Sequence, residues 1–149
     1  MRAIYFDMDG TIADLYGQKD WLECLIKEYT KPYREARPII DMRRLSYEIN
    51  RLQNLGYVVG IVSWGSKDGT NDFLLRTEKA KMGWLSRHLG SVNWDEIHVV
   101  EYGTPKSSVV NFPNGILFDD EERNRKEWDL NDGIAFDVNN ILEILEKMF

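Results

Sequence analysis

The sequence is poor in the residues that build disulfide scaffolds and histidine metal sites. Its 149 residues include one cysteine, Cys24, and two histidines. A single cysteine excludes an internal disulfide, and because Cys24 has apolar neighbours in a predicted helix, we interpret it as a packing residue rather than a reactive thiol. His88 and His98 are isolated in the sequence, and nothing pairs them into a metal site.

The sequence also lacks a long apolar run. A membrane helix needs about 20 consecutive, mostly apolar residues, and no segment approaches that length. The N-terminal segment becomes acidic at Asp7, which is too early for the apolar stretch of roughly 7–15 residues that a signal peptide requires. We therefore expect a cytoplasmic protein that does not enter a membrane.

Basic residues are also fewer than acidic residues. The formal net charge is −6 at pH 7, whereas proteins that hold a long polyanion usually present a basic face. We therefore do not expect stable binding of duplex DNA or RNA, but a small phosphorylated substrate needs only a few local cations. The chain does contain 43% hydrophobic and 30% charged residues, as folded globular proteins do. We predict that residues 1–149 form a single domain.

Five short apolar runs predict buried strands, at residues 3–6, 57–62, 97–100, 115–118 and 134–136. Apolar residues recur at helical spacing over residues 21–29, 42–52, 73–89 and 138–148. Asp41 is the expected N-cap of the second helix, Gly56 should follow its end, and Pro32 should end the first. Apolar strands that alternate with helices are typical of an α/β protein, here a five-stranded parallel sheet with helices on both faces.

Polar residues follow four of these predicted strands. Ligands of such sheets bind outside the carboxyl ends of the strands, so we expect these groups to meet in one crevice. They are Asp7, Asp9, Gly10 and Thr11 after the first strand, Ser63, Trp64 and Gly65 after the second, Lys106 beyond the third, and Asp119 and Asp120 after the fourth.

These residue types point to phosphoryl transfer. Several carboxylates in one crevice repel each other unless a cation lies between them, and an all-oxygen ligand set suits Mg²⁺. One carboxylate can act as a nucleophile, and a second can protonate the leaving oxygen and then activate water. Gly10 has the backbone freedom to present N–H donors to phosphate, Ser63 offers a hydroxyl, and Lys106 offsets the charge on the transferred group.

The four motifs together resemble those of the haloacid dehalogenase (HAD) superfamily and occur in its order over nearly the whole chain. The resemblance implies a HAD-like, Rossmann-type fold. It implies that Asp7 is the nucleophile and a metal ligand, and that Asp9 is the general acid/base, with its backbone carbonyl on the metal. Asp119 matches the acidic metal ligand, and Asp120 is an additional acid beside it. Ser63 and Lys106 match phosphate-orienting positions.

Two further features of the resemblance bear on the substrate. An aspartate at position 9 favours phosphatase over dehalogenase activity. The short gaps between motifs predict a minimal cap, at about residues 14–37, and therefore an open site that admits a bulky substrate or that a partner subunit closes in an oligomer.

Residues 12–16, 81–85 and 118–120 resemble small 5′(3′)-deoxyribonucleotidases and their phage-type relatives, which implies a nucleotide substrate. Gly10, Ser63, Trp64, Gly65 and Lys106 are then the expected substrate contacts. Trp64, together with Tyr16 and Trp21, is a candidate to stack on a base; packing within the protein is the competing interpretation for all three.

Three alternatives remain at this point. A polynucleotide 3′-phosphatase would suit an open site, although the acidic net charge disfavours it. A receiver domain also combines acids, a hydroxyl and a lysine around Mg²⁺, but its acidic pair precedes the phosphorylated aspartate, which is the opposite order. A non-catalytic binding module would need none of Asp7, Asp9, Ser63, Lys106 or Asp119.

Overall fold

The computed structural model describes residues 2–149. These residues form seven strands: β1 (Ala3–Phe6), β2 (Ala13–Asp14), β3 (Arg37–Pro38), β4 (Val58–Trp64), β5 (Glu96–Val100), β6 (Ile116–Phe118) and β7 (Ile134–Phe136). The helices are α1 (Trp21–Ile26), α2 (Lys31–Glu35), α3 (Met42–Asn54), α4 (Asn71–His88), α5 (Glu122–Leu130) and α6 (Ile141–Glu146). Five strands form a parallel sheet in the order β5-β4-β1-β6-β7, which confirms the predicted fold class.

Both faces of the sheet are buried, as the continuous apolar runs predict. Side chains of a strand alternate between its two faces. On β1, Ile4 and Phe6 belong to a core that also contains apolar residues of α3, α4 and α6. The neighbouring Tyr5 belongs to a smaller core on the opposite face, which contains Trp128 of α5. The central strand therefore lies between two layers of helices.

The boundaries of α3 follow from its terminal residues. The Asp41 carboxylate accepts hydrogen bonds from the backbone N–H groups of Arg43 and Arg44 at 3.0 and 3.2 Å, which confirms the expected N-cap. Gly56 follows the helix with φ +97°, a conformation that favours glycine. No helix within residues 2–149 is long and apolar enough to cross a membrane.

The structure corrects two predicted boundaries. Pro32 does not end a helix; it lies in the first turn of α2, where proline has no hydrogen bond to lose and its fixed φ suits the helix. The second sheet strand extends through Ser63 and Trp64, which pair with Val99 and Val100 of β5. Ser63 is therefore a buried strand residue rather than the first residue of a loop.

The insert segment, residues 14–37, contains α1 and α2. Its two ends pair with each other as the two-stranded antiparallel ribbon of β2 and β3. Leu25 and Tyr33 of this segment pack with Phe73 and Ala80 of α4. Glu28, between α1 and α2, accepts hydrogen bonds from the backbone N–H and the hydroxyl of Thr70 at 2.9 and 2.7 Å. These contacts attach the insert segment to the first half of α4.

Candidate active site

The carboxyl ends of β4, β1 and β6 lie side by side in the sheet and adjoin a cavity. Asp7 directly follows β1 and Asp119 directly follows β6, and the last residues of these strands, Phe6 and Phe118, are paired. Both aspartates line the cavity, whose volume of about 480 Å³ is in the range of small-molecule sites. The predicted crevice is therefore present at this edge.

Three carboxylates meet here. Oxygen atoms of Asp7, Asp119 and Asp120 lie within 4.8 Å of one another. Burial, reinforced by the charge of Asp7, raises the pKa of Asp119 to about 6. The same two causes raise the pKa of Asp120 to about 8. Crowded carboxylates that offer only oxygen atoms as ligands fit a hard divalent cation such as Mg²⁺, which would relieve their mutual repulsion.

Both oxygens of Asp7 are held by neighbouring side chains. Lys106 Nζ donates to Asp7 Oδ1 at 2.9 Å, and the buried Thr11 hydroxyl donates to Asp7 Oδ2 at 2.9 Å. The side chain of Asp7 is 9% exposed, so one edge of this carboxylate remains accessible from the cavity. Thr11, which the sequence marked only as a loop residue, orients Asp7 directly.

Lys106 lies in a single 3₁₀ turn, Lys106–Ser108, and also donates to Asp119 Oδ2 at 2.6 Å. Burial opposes the charge of Lys106, but the ion pairs with Asp7 and Asp119 more than offset it and raise the pKa of the lysine. The other oxygen of Asp119 accepts the backbone N–H of Glu121 at 2.9 Å. Lys106 is therefore a permanent cation between two carboxylates.

The Asp9 carboxylate faces a different cation, Lys81 of α4. Lys81 Nζ donates to Asp9 Oδ2 at 2.8 Å, to Ser63 Oγ at 2.7 Å and to the backbone carbonyl of Trp64 at 2.8 Å. Burial raises the pKa of Asp9, and the ion pair with Lys81 opposes that shift. The acid two residues after Asp7 is thus held on the Lys81 side of the site.

Sequence reasoning assigned no role to Lys81, although the residue carries a signal. Thr77, Lys81 and Trp84 recur at helical spacing on α4, and all three are buried. A lysine is almost never fully buried without a partner, so a lysine within this apolar stripe indicates a buried acceptor. The periodicity could not identify Asp9 as that acceptor, because the two residues are 72 positions apart.

Of the two glycines predicted to contact substrate, Gly65 lines the cavity and Gly10 is not among the lining residues. Gly10 has φ +80°, and a Cβ at this position would lie 2.2 Å from Asp120 Oδ2, so a larger residue would displace that carboxylate. Its N–H donates to the Ala13 carbonyl at 2.9 Å and is therefore already used within the loop. Gly65 lines the cavity, and its N–H donates to the Val100 carbonyl at 2.7 Å.

Aromatic and aliphatic side chains form the remaining walls of the cavity. Trp64 and Tyr102 line one side, with ring centroids 4.9 Å apart. Trp64 Nε1 donates to the Thr104 carbonyl at 2.8 Å, which fixes the plane of the indole. The insert segment supplies seven further lining residues, Leu15, Tyr16, Trp21, Leu22, Leu25, Ile26 and Tyr33.

The sequence matches no protein-family profile and no curated protein with which it was compared. Solved structures do match. A D,D-heptose 1,7-bisphosphate phosphatase from Burkholderia thailandensis is 15% identical, with a TM-score of 0.53 over 89% of this chain and 75% of that chain. An L-2-haloacid dehalogenase is 16% identical, with a TM-score of 0.53 over 91% of this chain and 83% of that chain.

A HAD-family enzyme from Bacteroides thetaiotaomicron is similar over 99% of both chains, with 9% identity and a TM-score of 0.57. A complex of that enzyme with magnesium and inorganic phosphate also matches, at 10% identity and a TM-score of 0.52 over 92% of this chain and 93% of that chain. At these identities the similarity concerns the fold. The chain has the fold of the haloacid dehalogenase superfamily, as the four motifs predict.

Proposed function

We propose that this protein is a Mg²⁺-dependent phosphatase that hydrolyses a phosphomonoester through a phosphoaspartate on Asp7. The proposal rests on one arrangement. Asp7 lies at the floor of the cavity with a metal-type cluster of carboxylates on one side, while Asp9 is separated from that cluster by its ion pair with Lys81. Two acids that follow the same strand are thereby placed in different surroundings, as a nucleophile and an acid/base require.

In the first step, an oxygen of Asp7 attacks the phosphorus atom and the bond to the ester oxygen breaks. Asp9 donates its proton to that oxygen, so the leaving group departs as an alcohol. The raised pKa of Asp9 favours the protonated form that this step needs. Lys106, 2.9 Å from Asp7, offsets the negative charge that develops on the transferred group.

In the second step, Asp9 removes a proton from a water molecule, and the water oxygen attacks the phosphorus atom. The bond between phosphorus and Asp7 breaks, which releases inorganic phosphate and restores Asp7. Thr11 and Lys106 hold the Asp7 carboxylate throughout, because each occupies one of its oxygens. The Ser63 hydroxyl accepts from Lys81, but Ser63 is buried and is not among the residues that line the cavity, so its donation to a phosphoryl oxygen stays a prediction.

Charge balance supports a divalent ion. Asp9 is paired with Lys81, so the three carboxylates of Asp7, Asp119 and Asp120 have one lysine, Lys106. When these three carboxylates are all ionised, two negative charges remain, which one divalent cation balances. When bound by Asp7, Asp119 and Asp120, Mg²⁺ would shield an incoming phosphate from these carboxylates and stabilise its transition-state charge.

A mononucleotide is the substrate class that we propose. The cavity joins a carboxylate floor to the aromatic walls of Trp64 and Tyr102, and a nucleotide has a phosphate at one end and a planar base at the other. Lys67 and Lys106 are the basic residues that line the cavity within residues 2–149. This supply of cations suits a single phosphate better than the backbone of a polynucleotide.

The test is a Mg²⁺-dependent phosphate-release screen over nucleoside monophosphates, sugar phosphates and 3′-phosphorylated oligonucleotides. Asp7→Asn should reduce turnover on the order of 10⁴-fold or more, because the nucleophile is lost. Asp132→Asn, which makes the same change at an exposed turn, should retain full activity. Full turnover by Asp7→Asn would contradict the assigned nucleophile, and preference for the oligonucleotide would contradict the substrate class.

Trp64→Ala tests the aromatic wall. Loss of base stacking should raise KM for a nucleoside monophosphate about tenfold, because stacking contributes on the order of 1–3 kcal/mol per base. KM for a generic aryl phosphate should rise less. Equal increases for the two substrates would show that Trp64 shapes the site without contacting a base.

A further inference from the structure

The ammonium group of Lys81 is completely committed within the protein. An ammonium has three N–H donors, and Lys81 directs one to the Asp9 carboxylate, one to the Ser63 hydroxyl and one to the Trp64 carbonyl, all at 2.7–2.8 Å. The side chain is 1% exposed. Lys81 is also absent from the residues that line the cavity, whereas Lys106 is among them. A substrate phosphate could reach Lys81 only if these bonds broke.

The three acceptors come from different parts of the site. Asp9 lies in the loop after β1, and Ser63 and Trp64 are the last two residues of β4. Lys81 Nζ is also 4.8 Å from the centroid of the Tyr33 ring, so α2 of the insert segment packs against the same cation. One side chain of α4 therefore joins the first two motifs.

We propose that Lys81 is a positioning residue that holds Asp9 at the leaving-group side of the site. This inference rests on the proposed phosphatase function. A carboxylate without Lys81 would be free to turn toward the cation-binding cluster of Asp7, Asp119 and Asp120, where it could not reach a leaving oxygen.

The leaving group provides a readout that a purely structural role would not move. An alcohol that leaves a nucleoside monophosphate needs a proton from Asp9, whereas p-nitrophenolate leaves without one. The ratio kcat/KM reports the first step, in which the leaving group departs, whereas kcat also includes the second step, in which Asp9 acts on water for either substrate. In Lys81→Met, kcat/KM for the nucleoside monophosphate should fall about 10²-fold, the usual contribution of a positioned acid. The kcat/KM for p-nitrophenyl phosphate should fall less than about tenfold. Lys79→Met, the same change at an exposed position of α4, should alter neither.

A double-mutant comparison separates positioning from other roles, because residues that act as a unit are not additive. In an Asp9→Asn background, Lys81→Met should reduce kcat/KM for the nucleoside monophosphate by less than about threefold. The double variant also removes both members of the buried ion pair and thus provides a folded reference if Lys81→Met alone fails to fold. An undiminished 10²-fold loss in that background, or equal losses for the two substrates in the single variant, would overturn the inference.

A crystal structure of Lys81→Met tests the inference without a measurement of activity. Lys81→Gln replaces it if the methionine variant does not fold. The Asp9 carboxylate should leave its present position while Asp7 and Asp119 keep theirs. An unmoved Asp9 would overturn the inference even if the enzyme is active. If the wild-type protein releases phosphate from no substrate, the proposed function fails, whereas a displaced Asp9 in the variant would still support the positioning role.

Discussion

Glu96 and the aspartates of the candidate site are buried carboxylates whose pKa values shift in opposite directions. On β5, Glu96 accepts hydrogen bonds from the Tyr5 hydroxyl at 2.6 Å and the Asn111 backbone N–H at 3.0 Å, and it lies 2.8 Å from His98 Nε2. Burial pushes the pKa of Glu96 upward, but these partners outweigh burial and lower it. At the carboxyl ends of the strands, burial and neighbouring negative charges raise the pKa values of Asp119 and Asp120.

The difference lies in what surrounds each carboxylate. The protein itself satisfies Glu96, which joins β1, β5 and the chain near residue 111 and stabilises the fold. Asp119 also accepts hydrogen bonds from Lys106, Asn124 and Glu121. The three aspartates nevertheless repel one another, so their ionised forms are costly until a cation arrives. A buried acid with surplus negative neighbours at a cavity is a candidate for function, whereas a buried acid whose neighbours are all donors is a candidate for structure.

The largest effect that separates the two groups is expected for catalysis. Asp119→Asn should lower kcat about 10³-fold, because the charge stabilisation that a bound metal supplies is worth several kcal/mol. Glu96→Gln should leave kcat almost unchanged at a temperature where both variants are folded. Steady-state phosphate release at saturating Mg²⁺ provides the comparison. A similar loss of kcat in both variants would remove the distinction.

The reverse order is expected for stability. Glu96→Leu should lower the free energy of unfolding by about 3 kcal/mol, because the Tyr5 hydroxyl and the Asn111 N–H would lose their acceptor inside the protein. Glu96→Gln retains an acceptor oxygen and should cost less. Urea denaturation of both variants measures the difference. If the leucine variant were as stable as the wild type, Glu96 would not be a structural carboxylate.

A smaller change in stability, of opposite sign, is expected for the cluster of Asp7, Asp119 and Asp120. In metal-free protein at about pH 9, where Asp120 is ionised although its pKa is raised to about 8, Asp120→Asn should raise the free energy of unfolding by about 1 kcal/mol, because it removes one of the repelling charges. The same variant should gain less stability from Mg²⁺ than the wild type does, since a ligand is lost. Thermal melting with EDTA and with Mg²⁺ tests both statements, and a lower melting temperature in EDTA would contradict the first.

The smallest expected effect is the loss of stability at acidic pH. Because folding lowers the pKa of Glu96 below its ordinary value of 4.5, the ionised carboxylate stabilises the protein above that pH. This contribution is lost as the pH falls through the lower, folded-state pKa. Tyr5 and His98 are the titratable groups that face Glu96, and protonated His98 would favour the carboxylate further. Glu96→Gln should therefore lose less stability than the wild type between about pH 5 and pH 3, measured by urea denaturation.

The sequence was sufficient for the sheet and for the residues at its carboxyl edge. Parallel strands place their carboxyl ends at one edge, so knowing that Asp7 and Asp119 follow apolar runs is enough to predict that they meet. The boundaries were less predictable. The run ending at Val62 does not show that β4 continues through Trp64, because that extension depends on pairing with Val99 and Val100 of another strand.

By itself, the sequence therefore determined which acids share the edge and which superfamily fold carries them, because apolar runs and the motifs that follow them are local patterns. Only the tertiary structure decided that Lys81 holds Asp9, that Thr11 and Lys106 divide the oxygens of Asp7, and that the insert segment lines the cavity. These contacts join residues far apart along the chain. Helical periodicity shows that a side chain points inward, but the packing of other elements determines what it meets.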